Sequence, residues 1–179
     1  MQALMRMRFG PYTFLQNPAQ LQGEKRALHP EERLLSGGGC VTPAGRRATV
    51  SPGKGAWYGG RAREMAQVLR RLLVPGRAHW LFAPGAEPMR AYLTQFDYTC
   101  TTARDGVQYS FTFTEDCDRT PRYAPYGSTR VRQGENAFDI AARTGVSVDT
   151  IVARNRLASP FDLTPGEKVV LACPLNWNF

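Results

Sequence analysis

The chain has 179 residues, 42% of them hydrophobic, with 23 Lys and Arg against 15 Asp and Glu for a net charge of +8. That length holds one or two domains with enough apolar side chains for a packed core. Four scattered cysteines with no CxxC pair, and two histidines far apart, speak against a Cys/His zinc site and for isolated reduced thiols in a cytosolic setting.

The N-terminal stretch Met1 to Arg8 lacks the uninterrupted apolar region of a signal peptide, and no run reaches the length of a transmembrane helix. The expectation is a chain made and first used inside a cell, with no membrane partner. Residues 1–125 carry 17 Lys and Arg against 10 Asp and Glu; residues 126–179 carry 6 against 5. The basic excess is spread among acids, with no Lys/Arg-rich block interleaved with aromatics. A basic surface is therefore preferred over nucleic-acid binding.

In chain order, Arg8 to Phe14 alternates around Gly10-Pro11 and reads as a bent strand pair. Asn17-Pro18 punctuates it. Gln20 to Arg26 is polar and fits an edge strand. His29 to Gly39, with Pro30 and three consecutive glycines, reads as a loop; no P-loop Lys-Ser/Thr follows those glycines. Arg46 to Ser51 is a short strand candidate. Gly53 to Gly60 is glycine-rich around Trp57-Tyr58. Such a pair stacks a base or a sugar in some proteins, but more often closes a small core under a tight turn. Arg61 to Val74 predicts an amphipathic helix, with Ala62, Met65, Ala66, Leu69, Leu72 and Leu73 on one stripe, stopped by Pro75-Gly76. His79 to Phe82 reads as a buried strand. Arg90 to Cys100 and Val107 to Glu115 predict a hairpin turned by Asp105-Gly106. Tyr92, Phe96, Tyr98 and Cys100 would share one face of its first strand; Val107, Tyr109, Phe111 and Phe113 would share one face of its second.

Asp118 to Gly127 holds Pro121 and Pro125 and reads as a linker. After it, Thr129 to Arg132 is a strand broken by Gly134. Asn136 suits a helix N-cap, Phe138, Ala141 and Ala142 form an apolar stripe, and Gly145 closes the helix. Ser147 and Asp149 start a second helix carrying Val148, Ile151 and Val152. Thr164-Pro165-Gly166-Glu167 is a turn before the β-branched run Lys168 to Leu171.

The series Val131-Arg132-Gln133-Gly134-Glu135-Asn136-Ala137-Phe138-Asp139-Ile140-Ala141, Gly145-Val146-Ser147-Val148, Asn155-Arg156-Leu157 and Leu163-Thr164-Pro165-Gly166-Glu167 resembles the LysM module. The resemblance implies a βααβ fold and a family that commonly binds N-acetylglucosamine glycans such as peptidoglycan. It places the binding groove at Gly134, Glu135, Asn136, Ala137, Leu163 and Pro165. Glu135-Asn136 stands where the common pattern has Asp-Thr. More loosely, the order Arg8 to Phe14, Asn17-Pro18, Gly53 to Gly59, helix, Tyr109 to Glu115 resembles the N-terminal region of LysM-bearing baseplate proteins of contractile phage tails and phage-derived tail particles.

The resulting expectation is an α+β chain. A mainly antiparallel β domain with one amphipathic helix spans 1–120, a linker 121–127, and a LysM domain 128–174. The resemblance implies a non-catalytic structural part of the tail baseplate, assembled in the host cytoplasm into the virion in several symmetric copies. Its partners would be tail hub, tube or baseplate wedge proteins, with LysM as a protein-docking element. No cofactor, metal or catalytic residue is expected: Glu31-Glu32, Glu87 and Glu115-Asp116 fit no recognisable hydrolase constellation. The alternative is a peptidoglycan-binding protein accessory to cell-wall lysis.

Overall fold

The computed structural model describes residues 5–24, 31–33, 39–41, 45–73, 76–101, 106–117 and 127–172. Its elements in chain order are β1 (Arg8–Phe9), β2 (Tyr12–Thr13), β3 (Gln20–Leu21), β4 (Glu31–Arg33), β5 (Gly39–Val41), β6 (Val50–Trp57), α1 (Ala62–Leu73), β7 (His79–Phe82), β8 (Met89–Thr101), β9 (Gly106–Glu115), β10 (Gly127–Arg130), α2 (Ala137–Thr144), α3 (Val148–Asn155) and β11 (Lys168–Ala172). The chain is α+β: mostly antiparallel strands with one helix among them, then a βααβ segment.

Packing gathers these elements into two compact units. One comprises Met1–Asn17, Ala78–Ala91 and Asp118–Phe179; the other comprises Pro18–Arg77 and Tyr92–Cys117. The strands around Phe9 and Leu81 therefore belong to the same unit as the βααβ segment. Of the expected linker 121–127, only Gly127 lies within the described residues, and it opens β10.

The second unit is built around β9. Val107, Tyr109, Phe111 and Phe113 are all buried, as their alternation predicts. Along its length β9 pairs antiparallel with β6, from Val50↔Thr114 to Trp57↔Val107. Strand β8 lies on the other side of β9, and β3 flanks β6. Helix α1 packs on β9 through Ala62, Ala66 and Leu69, while Met65, Leu72 and Leu73 of the expected stripe are only half-buried.

Three expectations for this unit are corrected. The strand expected at Arg46 to Ser51 lies instead at Val50–Trp57, running through Gly53 and Gly55. Glycine weakens a strand on its own. Here Gly53 faces Phe111 and Gly55 faces Tyr109, so the bare backbone is covered by cross-strand aromatic rings. In β8 the buried positions are Ala91, Leu93 and Phe96, while Tyr92 and Cys100 are exposed. The inward parity changes across Thr94 and Gln95, two consecutive exposed residues, as it does at a bulge. Within His29 to Gly39, read as a loop, Glu31–Arg33 instead pairs with Gly39–Val41 as a short antiparallel ribbon.

The first unit holds β1 paired with both β2 and β7, and β7 paired with the start of β8. Gly10 adopts φ +54 in the β1–β2 turn, and a methyl there would come 2.8 Å from the His79 ring. In the same unit β10 and β11 pair antiparallel, from Ser128↔Val170 to Arg130↔Lys168. Helices α2 and α3 pack on each other and α3 packs on β11. Val131, Ile140, Ala141, Val148, Ile151 and Val169 form the core, and Phe82 of β7 is part of the same cluster. Burying each Val, Ile or Phe side chain of this cluster contributes about 1.5–3 kcal/mol against leaving it in water.

Candidate functional site

The loop between β10 and α2 is held by a network reaching back from the end of α2. Arg143, in the last turn of α2, donates from Nε to Glu135 Oε1 at 2.8 Å and from Nη2 to Glu135 Oε2 at 3.1 Å. The same guanidinium donates to Thr129 Oγ1 at 2.8 Å and to the Arg130 carbonyl at 3.0 Å. The backbone N–H of Arg132 donates to Glu135 Oε2 at 2.9 Å. Burial alone would raise the Glu135 carboxyl, but the bonds from Arg143 and Arg132 outweigh it and hold the group below its ordinary value.

Asn136 is the N-cap of α2, as expected. Its Oδ1 accepts from Phe138 N at 2.9 Å and Asp139 N at 3.3 Å, and Asp139 Oδ2 accepts from Asn136 N at 3.0 Å, completing a capping box. Ala137 is fully buried, and its N–H donates to the Pro160 carbonyl at 2.8 Å. That bond ties the first loop to the connection between α3 and β11. Gly134 is exposed at φ +78, a conformation that favours glycine whatever the surrounding space.

In the connection between α3 and β11, Leu163 is half-buried against the core, and Pro165 is exposed in the turn Thr164–Glu167. Glu167 N donates to the Thr164 carbonyl at 3.1 Å, with Pro165 second and Gly166 third at φ +88, the pattern of a type II turn. Gly166 N donates in turn to the Val131 carbonyl at 2.9 Å. Of the six expected groove residues, Glu135 is engaged as a carboxylate, Asn136 by its cap, and Ala137 through its N–H.

Sequence reading missed four residues that shape this surface. Phe161 is 65% exposed, with its ring 5.7 Å from that of Phe138. Phe138 also meets Phe82 edge-on at 5.0 Å, and Arg8 lies over its ring at 5.0 Å. Asp149 accepts from Gly85 N at 2.5 Å and from Met5 N at 3.2 Å. Phe161 carried one signal, a large aromatic in a loop after Ser159-Pro160. Arg8 and Asp149 gave no sign of these contacts, because their partners lie far off in the chain, and Arg143 acts on Glu135, eight positions back across the start of α2.

No group of three or more His, Cys, Asp or Glu among the described residues could hold a metal ion. Also among the described residues, no helix is long and apolar enough to cross a membrane.

Residues 129–172 match the family model of the LysM domain, the segment that folds as β10–α2–α3–β11. Among solved structures, the chain is similar to a protein in the virion of a native gene transfer agent particle, at 12% identity and a TM-score of 0.45, covering 62% of this chain and 88% of that one. It is also similar to a protein in the tail of an empty gene transfer agent particle with C6 symmetry, at 11% identity and a TM-score of 0.42, covering 64% of this chain and 80% of that one. Comparison with curated protein sequences gave no match.

Proposed function

We propose that this chain is a non-catalytic structural protein of a phage-type tail, carried in the virion. In this reading it sits in the baseplate region among hub, tube or wedge proteins, in symmetry-related copies, and is assembled in the host cytoplasm. Its LysM segment serves as a protein-docking element across Gly134 to Ala137, Leu163 and Pro165. The observation that carries the reading is how the LysM segment is held. A module joined through a flexible linker moves independently of the body that carries it. This one shares a core with strands from the start and middle of its own chain: Phe82 is part of its apolar cluster, Arg8 covers Phe138, and Asp149 holds Met5 and Gly85. Such a segment is an integral part of a structural body.

Glu135, Asn136 and Ala137 are engaged in internal bonds, so a partner docking at this loop would meet its fixed shape and not these polar groups. Two measurements test the reading. Mass spectrometry of purified tail particles should find the chain at a stoichiometry matching the particle's symmetry. Purified peptidoglycan should fail to retain the isolated protein. A chain absent from particles but saturably retained on peptidoglycan would replace this reading with the glycan-binding alternative.

A further inference from the structure

We infer that the first unit carries a docking site for an acidic peptide segment of a partner protein, in a depression lined by Arg8, Arg90, Arg132 and Arg143 beside Trp80. The depression has a volume of about 650 Å³ and is lined by β7, the start of β8 and the loop entering α2. That volume is within the range of clefts that take a small ligand or a few residues of peptide. Four guanidinium groups line it against two carboxylates, Glu135 and Asp139.

Both carboxylates already have partners. Glu135 accepts from Arg143 and the Arg132 backbone, and Asp139 accepts from Asn136 N. The Arg143 guanidinium is itself spent on Glu135, Thr129 and the Arg130 carbonyl, so the positive excess comes from Arg8, Arg90 and Arg132 against Asp139, beside the ring of Trp80. A guanidinium fork recognises a carboxylate through paired parallel bonds, which a neutral sugar hydroxyl cannot reproduce. The half-buried Trp80 ring beside those forks suits an apolar side chain next to an acidic one. Charge complementarity thus selects an acidic, partly apolar peptide over an uncharged glycan. The Arg132 side chain is 74% exposed, 3.9 Å from Glu135, and can swing to a ligand without unmaking the loop. This inference rests on the depression alone and stands whether or not the chain belongs to a tail.

The test uses the full chain and a short fluorescent peptide alternating Glu with Leu, followed by anisotropy at low and at physiological salt. The acidic peptide should bind saturably, with affinity falling as salt rises. A peptide with Gln in place of every Glu should bind at least roughly tenfold more weakly, a loss of about 1.4 kcal/mol. Arg132→Glu should weaken the acidic peptide by a similar factor while leaving the thermal transition unchanged. Arg63→Glu, an equal charge reversal on the exposed face of α1, should leave binding unchanged. Equal binding of the Gln peptide would overturn the site, as would equal losses from Arg63→Glu and Arg132→Glu. Displacement of the acidic peptide by chitotriose would assign the depression to glycan instead.

Discussion

The carboxamide of Asn155 meets Val170 as a neighbouring strand would. Its Nδ2 donates to the Val170 carbonyl at 2.9 Å, and its Oδ1 accepts from Val170 N at 2.8 Å. The same Nδ2 reaches the Ile151 carbonyl at 2.8 Å, so one side chain closes the end of α3 and covers the open edge of β11. Asn155→Ala should destabilise the first unit by about 0.5–1.5 kcal/mol, because it removes the partner of two backbone groups of β11 that water then reaches. Chemical denaturation of the full chain should show the loss as a lowered midpoint. Asn155→Asp keeps the acceptor but sets a carboxylate against two carbonyls at the negative end of α3, and should be no more stable than Asn155→Ala. Equal stability of Asn155→Ala and the natural chain would remove the structural role given to this amide.

Gly53 and Gly55 make the second unit sensitive to a single added methyl. A Cβ at Gly55 would lie 2.6 Å from the Tyr109 hydroxyl oxygen and 3.2 Å from the Pro18 backbone. One at Gly53 would lie 2.6 Å from Phe111 Cε2. Neither ring can retreat easily. Tyr109 stacks on Trp57 at 3.8 Å, and Phe111 stands 5.0 Å from Phe113. Burial has already pushed the Tyr109 hydroxyl up to about 12, as expected of a phenol held away from water. Gly55→Ala and Gly53→Ala should each cost about 1–3 kcal/mol of stability through overpacking. Gly23→Ala, where nothing lies within 4 Å, is the control and should be nearly neutral. Thermal melts of the three variants decide the matter.

These glycines also show where sequence reading reached its limit. Local signals carried the LysM segment well. The Asn136 cap, the Gly145 stop and the Thr164–Glu167 turn all act within a few residues, so composition and spacing expose them. The alternation of Val107, Tyr109, Phe111 and Phe113 was equally local. Gly53 and Gly55 read as a turn because their strand character comes from rings more than fifty residues away, brought across by the β6–β9 register. Tyr92 was misplaced because a parity change within β8 leaves no mark in a sequence that still alternates plausibly. The surface around Arg8, Phe138 and Asp149 was invisible for the same reason: it forms from segments far apart in the chain.

Glu115 should give the second unit a measurable acid dependence. It is buried at the end of β9, and accepts from Arg46 Nη2 at 2.7 Å, Arg46 Nη1 at 2.5 Å and Thr49 N at 3.0 Å. Burial alone would raise the carboxyl, but the bonds from Arg46 and Thr49 outweigh it and bring it to about 2. A folded value below the unfolded one means that the stabilisation is fully present above about pH 4.5. It is then lost as pH falls towards about 2. Glu115→Gln should be less stable near neutrality and show a flatter decline across that window. Arg46→Ala should cost about 3–5 kcal/mol, because it strands a buried carboxylate. Urea midpoints measured at successive pH values would show both effects. Parallel pH profiles for the natural chain and Glu115→Gln would assign the acid response to other groups.

Asp149 offers two separable contributions, and a single residue can resolve them. It lies in the first turn of α3, where a carboxylate favours the helix by about 0.3–1 kcal/mol through the dipole. It also receives Gly85 N and Met5 N, bonds that tie two distant segments of the first unit to that helix. Bonds to a charged acceptor contribute about 1.5–3 kcal/mol when shielded and less where water competes, as it does at Gly85. Asp149→Ala should lower stability by about 1–2 kcal/mol and speed amide exchange at Gly85 and Met5 more than within α3. Asp149→Asn removes the charge but keeps one oxygen acceptor, so exchange at Gly85 should rise less than in Asp149→Ala. If the dipole alone mattered, the two variants would lose equal stability, and protection would fall along α3 with Gly85 unchanged. Faster exchange concentrated at Gly85 and Met5 in Asp149→Ala would instead identify this carboxylate as the clasp joining the LysM segment to the strands that share its core.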